Sequence, residues 1–443
     1  MHSIGILAWH SRFAFHHHSG AHTMNHKATV FHRYASHVSS KKAEFFTTFG
    51  FDFVFGRREG PYVWDIDGDK RLINCHSNGG VYNLGHRHPE IVAAMTEALA
   101  SLDIGNHHLV SRQKADLACA LARLSPGVMD YVVFGVSGGE AIDTAVKIAR
   151  KATGRKRIIT ARGGYHGHTG IAVAAGDPKY RDPFLSSSPD FIQVPFNDLA
   201  ALAAALTDDV AAVMFETIPA TLGMPIPDDR FYPAVRKCCD ESGALLVMDE
   251  VQTGLGRTGT FWGIENYRTV PDIIVSAKGL GGGLYPMAAT ILRRDLEAVF
   301  HDDPFIHIST TGGADIGCPV AQRVLDISSD PAFLAHVATL AEIFADGMAA
   351  FQEKYPEIIA EFRQLGLMSG IRTRRAELGP VLSKTCFDAG LLCIYAGNDT
   401  SVLQFLPALV IDTTLAEEIL QRLDAALEAA AGFAQAFTAG SGE

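Results

Sequence analysis

The chain has 443 residues, of which 47% are hydrophobic and 20% are charged, and its formal net charge is -11. This composition is typical of a globular protein with enough apolar material for two or three domains. The acidic balance argues against a nucleic-acid or anionic-membrane partner, because binding to phosphate groups favours a basic surface. No run of about 18 uninterrupted apolar residues is present, which argues against a transmembrane helix.

The seven cysteines favour reduced thiols over a disulfide framework. Their number is odd, and no two of them have C-x-x-C spacing. We therefore expect a cytoplasmic protein.

The N-terminal segment is rich in histidine. Residues 1–37 contain nine of the nineteen histidines, including His16, His17 and His18. A metal site is one interpretation, but this segment has no cysteine or carboxylate to complete it. We expect residues 1–40 to be a disordered or extended leader, with a start at Met1 or at Met24 left open, and residues 4–9 are too short for a signal peptide.

The regular pattern begins near residue 60. Residues 61–69 and 70–74 predict a β-hairpin, and residues 89–102 predict a helix. Further on, short apolar runs alternate with amphipathic stretches. Strands are predicted at residues 131–136, 157–160, 211–215, 244–249, 272–276 and 287–292, and helices at residues 140–151, 199–206 and 231–242. This alternation predicts an α/β fold with a mostly parallel sheet covered on both faces.

The last third of the chain predicts a second α/β segment. A helix is expected at residues 319–328, and strands are expected at residues 367–372, 391–394 and 401–405.

Three groups of residues follow predicted strands, where ligands bind in open α/β sheets. Ser137, Gly138 and Gly139 stand at the start of a helix, whose N–H groups would bind a phosphate, although a plain turn is the alternative. Asp249 ends an apolar strand and needs a partner such as a protonated heteroaromatic nitrogen. Lys278 follows another strand, and desolvation would make it nucleophilic toward aldehydes, although a surface lysine is the alternative.

Together these groups supply the three contacts that pyridoxal 5'-phosphate (PLP) needs. With them, residues 45–430 resemble the class III aminotransferases of PLP fold type I, the ornithine, acetylornithine and 4-aminobutyrate type. The resemblance implies a large PLP-binding domain at residues 86–325 with a mostly parallel seven-stranded sheet. It implies a small α/β domain from residues 41–85 and 326–443. It also implies a transaminase that moves an amino group from an amine or amino acid donor to a 2-oxo acid, aldehyde or ketone acceptor.

The same resemblance implies the roles of single residues. Lys278 forms the Schiff base and moves the proton, Asp249 pairs with the pyridine nitrogen, and Tyr165 and Val251 pack against the two ring faces. Lys278, Asp249 and Tyr165 are thus the implied catalytic residues. The other implied cofactor-binding residues are Ser137, Gly138, Gly139, His166, Glu216, Gln252 and Thr310. No metal is expected.

The expected oligomeric state depends on Thr310. Residues 307–313 resemble the family's His-Gly-Ser-Thr-Phe-Gly-Gly run, whose threonine reaches the phosphate of the neighbouring subunit. This implies a homodimer with shared active sites, and a tetramer is left open. The chain departs from the family at Gly139, where a threonine is usual, and at Ala314 and Asp315, which replace Asn-Pro.

Two further departures concern the substrate. Many members of the family hold the α-carboxylate with an arginine at the position of Gln404. The glutamate that pairs with this arginine in ω-amino acid enzymes is Thr221 here. The joint loss avoids an unpaired buried charge and removes a bidentate clamp for a carboxylate. We hypothesise that the donor lacks an α-carboxylate, or that another arginine serves, among Arg33, Arg87, Arg363 and Arg372.

Other functions remain open at this point. A class III-like PLP enzyme could instead catalyse decarboxylation, racemisation or elimination, because the outcome depends on which substrate bond lies perpendicular to the ring. A non-catalytic PLP-binding protein is the alternative of another class. The joint presence of Lys278, Asp249 and Gln252 argues against it. An unrelated nucleotide-binding enzyme is disfavoured because the chain has no GxxxxGK[ST] loop.

Overall fold

The computed structural model describes residues 26–440, in two compact units that divide after Val54. The first unit contains helices α1 (His26–His37) and α2 (Ser40–Thr48), and the Ser39 hydroxyl caps α2 by accepting from the Lys42 N–H. Residues 26–40 were expected to be disordered or extended. The structure has helix there instead, since residues 26–49 contain no glycine or proline to interrupt it. The leader up to residue 25, including its histidine-rich run and Met24, lies outside the described residues.

The second unit, from Phe55 onward, contains the remaining elements. Its described strands are β1 Phe55–Glu59, β2 Tyr62–Asp65, β3 Arg71–Asn74, β4 Met129–Gly135, β5 Arg157–Ala161, β6 Phe191–Val194, β7 Val210–Glu216, β8 Leu245–Asp249, β9 Ile273–Ser276, β10 Ala288–Arg293, β11 Ile359–Leu365, β12 Met368–Thr373, β13 Leu391–Leu392, β14 Ile394–Tyr395 and β15 Val402–Phe405.

Helices alternate with these strands. They are α3 Ser77–Gly80, α4 Pro89–Leu99, α5 Arg112–Leu124, α6 Gly138–Thr153, α7 Gly170–Ala175, α8 Pro178–Arg181, α9 Leu199–Ala205, α10 Phe231–Ser242, α11 Cys318–Ser328, α12 Pro331–Lys354, α13 Leu378–Asp388 and α14 Thr413–Gly440. Short 3₁₀ helices lie at Asp182–Phe184, Gly263–Tyr267, Lys278–Gly281, Arg294–Phe300 and Asp315–Gly317.

The main sheet has seven strands in the order β4-β10-β9-β8-β7-β5-β6. Strands β9, β8, β7, β5 and β6 pair in parallel, and β10 is antiparallel to both of its neighbours. The mostly parallel seven-stranded sheet is therefore confirmed. Every residue of β7 and β8 is buried, which explains their continuous apolar sequences. Strand β6 was not predicted, because its four residues include a glutamine and follow a serine-rich loop.

Parallel pairing brings the ends of three strands to one edge of this sheet. Glu216, the last residue of β7, lies opposite Asp249, the last residue of β8. Lys278 comes two residues after the end of β9, the next strand along. Residues far apart in sequence thus meet at the carboxyl edge of the sheet.

Two smaller sheets lie outside the main one. The predicted hairpin is confirmed by the antiparallel pairing of β2 with β3, and β13 adds to β3 in parallel. The chain after residue 390 therefore pairs with residues near 73. Strands β11, β12, β15 and β14 form the other sheet. The proposed domain bounds at residues 41, 86 and 326 stay predictions.

Helix α12 is long and apolar. By length and composition alone it could cross a bilayer. Its Val337, Leu340, Phe344 and Met348 are buried in a hydrophobic core that also contains residues of β15 and α14. Packing in this core accounts for the apolar side of the helix.

Candidate active site

The carboxyl edge of the main sheet contains a cavity of about 400 Å³. Ten of the eleven predicted cofactor-binding residues line it, so the structure gathers positions spread over more than 140 residues. The lining residues are Ser137, Gly138, Gly139, Tyr165, His166, Gly167, His168, Thr169, Glu216, Ile218, Asp249, Val251, Gln252, Thr253 and Lys278. The eleventh, Thr310, is exposed and does not line this cavity.

Lys278 directs its amine toward the neighbouring Gln252. Its Nζ lies 3.4 Å from Oε1 of Gln252, and its backbone has a left-handed φ of 47°. Burial lowers the pKa of Lys278, although the charges of Asp249 and Glu216 oppose the shift. A lowered pKa leaves more of the amine neutral and nucleophilic near neutral pH.

Asp249 is held by a histidine. Nδ1 of His166 lies 2.8 Å from one carboxylate oxygen of Asp249, and the Val251 N–H donates to the other. Burial lowers the pKa of His166, but its hydrogen bond to Asp249 and the charge of Asp249 outweigh burial and raise the pKa overall. The Nε2 atom of His166 is buried and has no partner in the part of the chain described. His166 therefore fixes the carboxyl group of Asp249 at the wall of the cavity.

Glu216 supports the loop that carries Tyr165. Its carboxylate accepts the Tyr165 N–H at 2.8 Å. Burial raises the pKa of Glu216 to about 7, with His166 opposing and Asp249 adding to the shift. The observed contacts of Glu216 are thus with the protein backbone, and its cofactor contact stays a prediction.

The small-residue turn forms one end of the cavity. The hydroxyl of Ser137 caps α6 by accepting the Glu140 N–H, and the first N–H groups of a helix have no intrahelical acceptor. A Cβ atom at Gly139 would come within 2.8 Å of the Thr169 hydroxyl, and one at Gly138 within 3.3 Å of Val251. Larger residues at these two positions would crowd Thr169 and Val251, and the backbone donors of the turn suit an anion.

Aromatic contacts hold the Tyr165 ring in place. Its centroid lies 5.2 Å from that of His168 and 5.9 Å from that of Tyr180. The sequence analysis did not select His168, Thr169 or Tyr180 as site residues. The one signal for Thr169 was its place directly before an apolar helix, in the loop that follows β5.

These residues fit PLP. The aldehyde of PLP has a counterpart in the Lys278 amine, and its pyridine nitrogen in Asp249. Its phosphate has a counterpart in the start of α6, and its flat ring in the side chains of Tyr165 and Val251. A second buried atom without a partner among the described residues, Nε2 of Gln252, also lies at this cavity and would satisfy a ligand oxygen.

Gln404 and Thr221, the two departures that concern the substrate carboxylate, lie outside the cavity lining. Gln404 is buried in β15 between Gly370 of β12 and Ile394 of β14. The Thr221 hydroxyl donates to the Gly163 carbonyl at 3.2 Å. Of the arginines considered as replacements, Arg363 is engaged elsewhere. It donates to the Gly223 carbonyl and pairs with Glu361.

Comparison with known proteins agrees with this geometry. The family model described as aminotransferase class-III matches residues 49–427. The chain belongs to the class III aminotransferase family. It is therefore a PLP-dependent transaminase of fold type I.

Three relatives illustrate the family. An uncharacterized aminotransferase of Archaeoglobus fulgidus is 54% identical over 91% of this chain and 95% of its own length. A putrescine aminotransferase of Pectobacterium atrosepticum is 33% identical over 82% of this chain and 80% of its own. The structure of a taurine:2-oxoglutarate aminotransferase from Bifidobacterium kashiwanohense, in complex with PLP and glutamate, has a TM-score of 0.78. It is 26% identical and covers 85% of this chain and 93% of that one.

The raised pKa of Glu216 predicts a pH-dependent stability. Because the folded protein holds this proton more tightly, the contribution of Glu216 is complete below about pH 4.5 and is lost as the pH rises through about 7. In urea unfolding of the cofactor-free protein, wild type should lose stability relative to Glu216→Gln across this range. Glu417→Gln, at an exposed position of α14, should stay parallel to wild type. Parallel curves for Glu216→Gln would contradict the raised pKa.

Proposed function

We propose that this aminotransferase takes its amino group from a donor without an α-carboxylate, such as a diamine or another ω-amine, and passes it to an oxo acid. One observation carries the proposal. Among the described residues, Lys278 is the only lysine or arginine that lines the cavity, whereas Glu216 and Asp249 contribute two acidic side chains. Such a cavity disfavours a donor with a carboxylate beside its amine and tolerates a cationic one.

The surroundings of the cavity support this proposal. Gln404 cannot form the bidentate ion pair that an arginine makes with a carboxylate. Thr221 satisfies its hydroxyl on Gly163 and brings no charge. Arg363 would have to break its contacts with Gly223 and Glu361 to serve in place of the lost arginine.

The names of two relatives point the same way. Putrescine, the substrate named for one relative, is a diamine, and taurine, named for the other, carries a sulfonate in place of a carboxylate. Neither compound has an α-carboxylate. We propose that the donor of the present chain likewise lacks an α-carboxylate. The proposal does not specify the individual amine.

The residues that line the cavity have different roles in the proposed reaction. PLP, when bound, supplies a carbonyl that condenses with amines and a ring that stabilises negative charge. Asp249, oriented by His166, would face the ring nitrogen. Ser137, Gly138 and Gly139 would hold the phosphate through a hydroxyl and N–H groups. Tyr165 and Val251 would enclose the flat ring and exclude water from the reacting carbon.

Lys278 acts at its Nζ atom. Its lowered pKa makes the amine a nucleophile before substrate arrives. With PLP and substrate bound, the Nζ atom of Lys278 would accept a proton from the substrate carbon and return it during product formation. Gln252, within 3.4 Å, orients this amine.

The proposed donor class predicts a specific pattern of kinetics. With pyruvate or 2-oxoglutarate as acceptor, kcat/KM for diamines and ω-amines should exceed that for glutamate by about 100-fold, the difference a lost bidentate contact makes. The same lack of an arginine predicts a higher KM for the oxo acid than for the amine. Gln404→Ala should change the amine kinetics little, and Gln404→Arg is the matched gain-of-charge variant. Efficient turnover of glutamate, unaffected by Gln404→Ala, would overturn the proposal.

We further propose a cytoplasmic homodimer in which Thr310 completes the site of the partner subunit. The resemblance of residues 307–313 to the family run supports this, together with the exposure of Thr310. Exposed apolar side chains support it as well, since monomers rarely leave apolar patches uncovered. Phe305, Ile306 and Ile308, which shortly precede Thr310 in the chain, are exposed, as are Leu109 and Val110. All seven cysteines are unpaired, which fits a reducing compartment.

Shared sites can be tested by subunit exchange. Lys278→Ala and Thr310→Ala should each reduce activity, the second by weakening the hold on the phosphate. Mixing the two after partial unfolding should restore activity, because one site of each mixed dimer would then contain both wild-type residues. Light scattering should show a mass near twice 47.7 kDa. A monomer, or no recovery on mixing despite exchange, would contradict the shared site.

A further inference from the structure

A strained turn lies against the reactive lysine. Ser77, Asn78, Gly79 and Gly80, the residues of α3, all have positive φ angles, between 47° and 98°. A run of left-handed residues that includes a serine and an asparagine costs free energy, and it persists only where its surroundings enforce it. The carboxamide of Asn74 contributes by accepting the Ser77 N–H at 2.8 Å.

This turn contacts Lys278 and the residue after it. A Cβ atom at Gly79 would lie 3.6 Å from Cε of Lys278 and from Nε2 of Gln252. A Cβ atom at Gly279 would lie only 2.9 Å from the carbonyl oxygen of Gly80. The two backbones therefore touch, and a displacement of the turn displaces the lysine.

Asn83 lies between these two backbones. Its amide nitrogen would be 3.4 Å from a Cβ at Gly279, and its amide oxygen the same distance from a Cβ at Gly80. Its backbone carbonyl accepts the Leu409 N–H at 2.7 Å. Asn83 therefore contacts the turn and the backbone after the lysine, and its own backbone is tied to the segment that follows β15.

A fully buried arginine holds Asn83. Nη2 of Arg257 donates to Oδ1 of Asn83 at 2.7 Å, and Nη1 donates to the carbonyls of Leu367 and Pro407. The Leu367 N–H donates back to the Arg257 carbonyl at 2.9 Å. One guanidinium thus joins three segments that are distant in sequence, near residues 83, 367 and 407.

Stability alone does not explain a buried arginine at position 257. It makes no ion pair within residues 26–440, its Nε has no partner there, and burial lowers its pKa to about 9, a value at which it still stays charged at neutral pH. Replacing a buried charge with an apolar side chain of similar size is often neutral or stabilising. What an apolar residue cannot supply is the fork of N–H donors that fixes Asn83.

We propose that Arg257 is a positioning residue for Lys278, acting through Asn83 to fix the turn at Ser77–Gly80 and the backbone at Gly279. The guanidinium sets where the lysine amine stands relative to Gln252 and Asp249. Arg257 is not among the residues that line the cavity. The proposal does not depend on which amine is the donor.

The test compares Arg257→Met, Arg257→Lys and Asn83→Ala in the full-length protein. Arg257→Met and Asn83→Ala should shift the pH midpoint of the visible absorbance of the PLP-loaded protein in the same direction, by about one unit. Both should slow the reaction with donor amine alone by about 10- to 100-fold, as expected for a misplaced reactive group. Arg257→Lys, which keeps the charge but loses the fork of donors, should fall between wild type and Arg257→Met.

Two controls separate positioning from a general loss of folding. In the cofactor-free protein, the rate at which formaldehyde and borohydride methylate Lys278 should change in both variants, while the melting temperature changes little. Arg155→Met is the matched control, because Arg155 also donates to two backbone carbonyls, those of Val210 and Ser242, near the opposite edge of the sheet. It should leave the absorbance midpoint and the methylation rate as in wild type.

Coupling between the two residues decides the outcome. The double variant Arg257→Met with Asn83→Ala should be no slower than the more impaired single variant, because both changes break one connection. Unchanged absorbance midpoints and methylation rates in Arg257→Met would overturn the proposal. Fully additive effects in the double variant would overturn it as well, since they would mean that Arg257 does not act through Asn83.

Discussion

A half-buried lysine and two buried acidic side chains lie at the ends of adjacent strands, and this arrangement dictates the rest of the site. Asp249 and Glu216 are each less than a tenth exposed. Burying an acidic side chain costs free energy unless it has a hydrogen-bond partner. His166 forms this hydrogen bond with Asp249, and the Tyr165 N–H donates to Glu216. The parallel register of β7 and β8 puts these acids side by side, and burial lowers the pKa of Lys278 beside them.

Sequence reasoning reached much of this arrangement, because the strong signals are local. One continuous apolar strand ends in Asp249, and another leads to Lys278. Both patterns can be recognised in the sequence alone. Parallel pairing then implies that the strand ends meet. The resemblance to a family added Tyr165, Val251 and Gln252, all of which line the cavity.

Other features depend on tertiary contacts and have no local signal. Nothing near Arg257 in the sequence shows that its guanidinium meets Asn83 and Pro407. The left-handed run at Ser77–Gly80 has a partial signal in its Asn-Gly-Gly sequence, but its contact with Lys278 comes from folding. Strand β6 was missed for the same reason, since a short strand that contains a polar residue takes its conformation from its neighbour β5.

The central claim is that Lys278 carries the cofactor. The most direct measurement is borohydride reduction of the PLP-loaded protein, followed by mass spectrometry of its peptides. The pyridoxyl adduct should be found on the peptide that contains Lys278, and the yellow absorbance should be lost on reduction. An adduct on another lysine, or a protein that binds no PLP at all, would contradict the account.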